Sequence, residues 1–157
     1  MDETTQSLFR VTEVELSYRS RVKPSERPKV NNSKDAYKIL LAHWDMNKIE
    51  LVEQFKILLL DRNNACLGIS EIATGGIAGC IVDPRIIFST ALKAKASSIL
   101  LAHNHPSGNL IPSIDDERIT KKICSGAKFF DMNVPDHLII SPYDYYSMTD
   151  EGDICCP

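Results

Sequence analysis

The sequence predicts an α+β (mixed α/β) domain, with helices flanking a central, mostly antiparallel β-sheet. Three observations carry that prediction. Two strand-like segments joined by a turn make a hairpin over residues 53–72. Helix-period segments separate the strand-like ones along the rest of the chain. The chain then ends on two short apolar segments over residues 136–149, which suit antiparallel strands. At 157 residues the chain suits a single core.

Residues 1–10 show no pattern and are expected to be loose. Val11–Arg19 alternates Val14, Leu16 and Tyr18 with Glu13, Glu15 and Ser17, the signature of a half-buried strand. A charged, proline-bearing arm follows to residue 32. Ser33 offers an N-cap for a helix to roughly Trp44, with Ala36, Ile39, Leu40 and His43 or Trp44 on one face. His43 there reads as a packed residue.

Glu53–Asp61 is a short apolar strand, and Arg62–Gly68 turns the chain into a second strand near Cys66–Ile72. Two glycines break that strand, and Ile77–Val82 suggests a third, shorter one. Asp83-Pro84 starts a helix to about Ala96, because aspartate caps and proline fits the first turn. Ile87, Ala91 and Ala94 mark its buried side. Ser97–His103 is apolar on both faces and hence central in the sheet. Ser113 opens another helix, with Ile119, Ile123, Ala127 and Phe130 at core spacing. Asp136–Ser141 and Tyr145–Thr149 close the domain as strands.

Bulk properties narrow the function classes. The net charge of −3 and pI near 5.8 provide no basic footprint for a phosphate backbone. The local basic stretch Arg19–Arg27 reads as part of a solvated arm, so nucleic acid is a weakly supported partner. No run approaches the ~20 apolar residues of a membrane span. The first twenty residues are polar and acidic, unlike a signal peptide. The five cysteines (66, 80, 124, 155 and 156) are odd in number and contain no C-x-x-C. Reduced thiols and a cytoplasmic location are therefore expected. Cys66, Cys80 and Cys124 fit as small core residues, and the Cys-Cys-Pro end as a frayed tail.

The chemistry concentrates in HNHPSGNLIPSIDD, residues 103–116. Residues i and i+2 of a strand face the same way, so His103 and His105 can aim two imidazoles at one ion. Pro106 and Gly108 turn the chain back, and Asp116 in the next helix's first turn can add a carboxylate. Two imidazoles and one carboxylate make a three-ligand zinc set, with a fourth position open for water. Ser113-x-x-Asp116 also reads as an N-cap and an acidic first turn, which needs no metal to explain it. Ser107 beside His105 is ordinary turn chemistry, since no nucleophile elbow surrounds it. His137 is not forced into the site. A hydrolase also needs a proton-transferring carboxylate that is not a ligand. Glu50, Glu53 and Glu71 are the candidates ahead of the histidines.

His103-x-His105, seven residues, Ser113, two residues and Asp116 together resemble the JAMM motif of MPN/JAB-domain metalloproteases. With Glu53–Asp61 before it and Asp136–Ile140 after it, the phrase resembles the RadC-type branch found in bacteria. The resemblance covers roughly residues 33–152, leaving residues 1–32 as a strand and charged arm and 153–157 as a tail. It implies a JAB/MPN metalloprotease fold with a cytidine-deaminase-like layered architecture. It also implies one zinc ion on His103, His105 and Asp116. Among the three acids it selects Glu53, and it gives Ser113 a role in holding the oxyanion.

The implied reaction is hydrolysis of an amide bond in a peptide or isopeptide substrate, with water activated by zinc and Glu53. The alternative is a DNA-repair-associated or partner-binding module whose metal site is vestigial or structural. Longer RadC proteins carry a helix-hairpin-helix segment ahead of this domain, and no such pattern is visible here. A metal-dependent nuclease fits less well, because two-metal phosphodiester chemistry uses oxygen-rich sites.

Overall fold

The computed structural model describes residues 10–154. Five strands form one sheet: β1 (Gln54–Leu60), β2 (Cys66–Thr74), β3 (Ser98–Asn104), β4 (His137–Ile140) and β5 (Tyr145–Ser147). Their order is β2-β1-β3-β4-β5. Every pairing is antiparallel except β3 with β4. The expected α+β class and mostly antiparallel sheet are thus observed. Among the described residues no helix is long and apolar enough to cross a membrane.

Three helices complete the layers: α1 (Ser33–Ala42), α2 (Pro84–Lys93) and α3 (Ile114–Ala127). Strand parity sorts the core. Phe55, Ile57, Leu59, Ile99 and Leu101 pack with Ile87 and Ala91 of α2 and Ile123 and Ala127 of α3. Leu58, Leu60, Leu100, Ala102, Leu138 and Ile140 pack on the opposite face with Ala36 and Leu40 of α1 and with Trp44. Strands β1, β3 and β4 are therefore buried on both faces. This is why Ser97–His103 reads as continuously apolar rather than alternating.

Several local expectations are corrected. Val11–Arg19 forms no strand; Val14 and Leu16 are exposed, and the chain first meets the sheet through a Lys29–Ala65 bridge. Alternation alone cannot hold a strand that has no neighbour to complete its hydrogen bonds. The expectation of loose residues 1–9, and that of a frayed Cys155–Pro157, lie outside the described residues. Asp153 and Ile154, also expected in the tail, are bonded to the Met148 carbonyl.

Helix α1 is capped one residue earlier than expected, by Asn32, and leaves His43 exposed while Trp44 is buried. Ile77–Val82 is loop and not strand. Helix α3 ends at Ala127 in a 3-10 turn, Lys128–Phe130, which changes the helical phase. Phe130 is consequently 43% exposed and packs on Phe88. Cys66 and Cys80 are free thiols, as expected. Cys124 is not; it is disulfide-bonded. Ile154 packs on the cluster that holds Cys124, so the end of the described chain runs past that sulfur.

Candidate metal centre

His103 is the penultimate residue of β3, on the face covered by α2 and α3, and is fully buried. His105 lies just beyond the strand and is half-buried. A turn then reverses the chain, with the Gly108 N–H donating to the His105 carbonyl at 2.9 Å. Gly108 has φ +76°, a left-handed conformation that glycine adopts without a Cβ clash. The return brings the Asn109 carbonyl within 2.6 Å of His105 Nδ1. A carbonyl only accepts, so Nδ1 carries the hydrogen and Nε2 presents its lone pair to the site.

Asp116 arrives from α3. Ser113 caps that helix, its Oγ accepting from the Asp116 N–H at 3.1 Å while the Ser113 N–H donates to Asp116 Oδ2 at 2.7 Å. This reciprocal capping box locks the aspartate side chain toward β3. Its Oδ1 lies 3.1 Å from His103 Nε2 and its Oδ2 3.4 Å from His105 Nε2. The two Nε2 atoms are 2.9 Å apart. The helix-cap reading and the ligand reading of Asp116 thus hold together, one oxygen serving both.

The residues fit a divalent metal. The three ligand atoms lie within 4.8 Å of one another, and ligand atoms around tetrahedral zinc sit about 3.3 Å apart. Two imidazole nitrogens and a carboxylate facing each other at such distances need a cation between them or a proton on a ring. The metal-free electrostatics express the same need. Hydrogen bonding to Asp116 raises the His105 pKa against its burial. Burial opposes ionisation of Asp116, but the two histidines outweigh it and hold its carboxyl well below the usual range.

A cavity of about 470 Å³ opens beside this cluster, lined by Glu53, Phe55, His105, Ser113, Asp116 and the loop residues Ile77 to Cys80, among others. Glu53 is half-buried there. Burial raises its pKa above the ordinary glutamate value, Asp116 adds to the rise, and the two histidines oppose it. Its backbone is paired on one side, with the Glu53 N–H donating to the Gly76 carbonyl and the Gly75 N–H donating to that of Glu53. Gly75 is required at that turn, because a Cβ there would overlap the Gly79 carbonyl oxygen. Glu71 faces the opposite side of the sheet, bound to Gln54, Thr74 and Lys56. Glu50 is exposed and does not line the cavity. Ser107 lines it, but its Oγ accepts from the Asn109 N–H, as turn chemistry requires.

Two contributors lie outside the motif as read from sequence. Asn104, between the histidines, points to the other face and is fully buried. Its Nδ2 donates to the carbonyls of Ile49 and Val52, and its Oδ1 accepts from the Gln54 N–H. It thereby fixes the segment that carries Glu53. The visible signal was a polar residue on the α1 side of an otherwise apolar strand. The Ile77–Cys80 loop, read as a strand, forms a wall of the cavity.

Residues 30–153 match the RadC-like JAB domain family. A UPF0758 protein of Flavobacterium johnsoniae is 39% identical over 149 residues, covering 90% of this chain and 61% of its own. A UPF0758 protein of Desulfitobacterium hafniense is 34% identical over 131 residues, 82% of this chain and 56% of its own. One from Methanosarcina mazei is 35% identical over 124 residues, 79% and 53% respectively. The chain thus spans 53% to 61% of the length of these relatives.

Proposed function

The chain belongs to the RadC-like JAB domain family, and on that premise we propose that it is a JAMM-type zinc metallopeptidase or isopeptidase. One observation carries the reading. Two imidazole nitrogens and a carboxylate converge within 3.4 Å of each other, at a cavity that also holds an unligated glutamate of raised pKa.

His103, His105 and Asp116 would hold the zinc, which when bound supplies Lewis acidity and lowers the pKa of a bound water. Glu53 is the general base: it takes a proton from the attacking water and returns it to the leaving amine. Its half-buried setting suits both steps, because a raised pKa brings its proton affinity closer to what a donor needs. Ser113 uses an oxygen lone pair to cap α3, leaving its hydroxyl hydrogen to donate to the oxyanion that forms on the scissile carbonyl. The apolar cavity walls at Phe55, Ile77, Val82 and Ile119 suit an extended peptide segment with at least one apolar side chain.

The test joins elemental analysis to peptide hydrolysis. About one zinc per chain is expected, with Glu53→Gln losing hydrolysis at unchanged metal content. Full hydrolysis by Glu53→Gln overturns the assignment. Zinc retained by a native chain that cleaves no peptide or isopeptide points instead to a binding module with a structural metal.

A further inference from the structure

His137 opens β4 and is completely buried, on the α3 face beside His103. Among the described residues its ring nitrogens touch no carboxylate. Nε2 lies 2.8 Å from His103 Nδ1, and Nδ1 lies 2.6 Å from Thr120 Oγ1. Thr120, itself buried one turn after Asp116, donates from the same Oγ1 to the Asp116 backbone carbonyl at 2.6 Å. A continuous hydrogen-bonded chain therefore leaves one candidate ligand, passes through two buried side chains and returns to the backbone of another.

We propose that His137 and Thr120 are positioning residues that hold His103 as the Nδ1–H tautomer, with its Nε2 lone pair directed at the metal. The inference rests on the metal-holding role proposed above for His103, and it follows from the direction of the chain. The Asp116 carbonyl has no hydrogen, so Thr120 must donate to it. A third neighbour, Met148 Sδ at 3.8 Å, is a weak and distant competitor. With its hydrogen committed, Thr120 Oγ1 accepts from His137 Nδ1–H. A neutral His137 then has a bare Nε2, which can only accept, and His103 Nδ1 must supply the hydrogen. The last consequence is a bare His103 Nε2, the atom 3.1 Å from Asp116 Oδ1.

The opposite polarity fails at the first link, since it would set the Thr120 hydrogen toward His137 and leave the carbonyl's 2.6 Å contact without one. Outer hydrogen bonds of this kind fix both ring orientation and basicity of a ligating histidine. His105 reaches the same tautomer by a simpler route, through the Asn109 carbonyl. Two unrelated devices therefore expose the same nitrogen on both rings.

Two measurements test this. In the zinc-loaded full chain, labelled with 15N-histidine, long-range 1H–15N correlation spectra distinguish the tautomers. Nδ1–H is expected at both His103 and His137; Nε2–H at His137, or a His103 ring bare at Nδ1, overturns the inference. Zinc affinity is then measured by competition with a chromophoric chelator. His137→Leu is expected to weaken it roughly 10- to 100-fold. His137→Gln, whose amide can accept from His103 and donate to Thr120, is expected to recover most of that loss. Thr120→Ser should retain affinity where Thr120→Val lowers it. Native zinc affinity in His137→Leu, or no recovery in His137→Gln, also overturns the inference. If His137→Leu does not fold, the tautomers of the native chain decide. Neither readout depends on hydrolysis, so failure of the proposed peptidase activity is distinguishable from failure of this relay.

Discussion

Single side chains in this site can serve structure and chemistry at once. Asp116 closes the capping box of α3 and faces both imidazoles; Ser113 completes the same box while lining the cavity. Sequence spacing suggested both roles for Asp116 and the resemblance did so for Ser113; the geometry is compatible with both. Glu53 differs, because its proposed role depends on its surroundings as well as on the position that the resemblance gives it. In the metal-free chain burial disfavours its charged form, so its carboxyl titrates above the ordinary value. A cation on the neighbouring ligands favours the carboxylate and must move the midpoint back down. A 13C titration of the Glu53 carboxyl should therefore give a midpoint above 4.5 without metal and a lower one with zinc. A midpoint that zinc does not lower would place Glu53 too far from the ion to serve as its base. Pattern alone did not rank the three upstream acids, with Glu53 at a strand mouth and Glu71 on a strand; the resemblance selected Glu53. Strand parity sets Glu71 aside, because it is bonded on the α1 side with Gln54 and Lys56, away from the histidines.

At the scale of elements, β3 serves two faces. His103 points to α3, whereas Asn104 points to α1 and ties down residues 49–54 through three hydrogen bonds. One strand end thus places a candidate ligand and, through the backbone, the candidate base. Asn104→Ala would leave two carbonyls and one N–H without these partners in a largely buried region. Each such group costs about 1–3 kcal/mol, so a loss of roughly 3 kcal/mol in denaturant unfolding is expected. Hydrolysis should fall further than zinc affinity does, because the freed segment holds Glu53 and no ligand. Equal loss of both would mean that Asn104 supports the metal cluster rather than the base. The elements themselves were legible where burial imposed a pattern: the hairpin, the apolar β3, and α2 with its Asp83-Pro84 start all lie within a few residues of their expected bounds. They were illegible where pattern lacked a partner. Val11–Arg19 alternates like a strand but meets no edge, and Ile77–Val82 forms no strand, all but Ile81 of its residues lining the cavity instead.

For the molecule as a whole, the candidate ligands lie on two layers: His103 and His105 at the end of the central strand, Asp116 on the helix packed over it. A metal there would cross-link the sheet to α3, and binding to the folded state alone must raise stability. At zinc one hundred times its dissociation constant the gain is about 2.7 kcal/mol. A domain of this size shifts by roughly 2–4 °C per kcal/mol, so melting should rise by about 5–10 °C and return with chelator. Asp116→Asn separates this effect from helix capping. Its side-chain oxygen can still accept from the Ser113 N–H, so the metal-free melting temperature should stay near that of the native chain. What it lacks is the negative charge that balances the ion, and the zinc-induced rise should shrink by more than half. A full zinc shift in Asp116→Asn would show that the ion binds elsewhere, and the layered cross-link would be wrong. A large fall in its metal-free melting temperature would show instead that the capping box depends on charge, as expected where an acid faces the positive end of a helix.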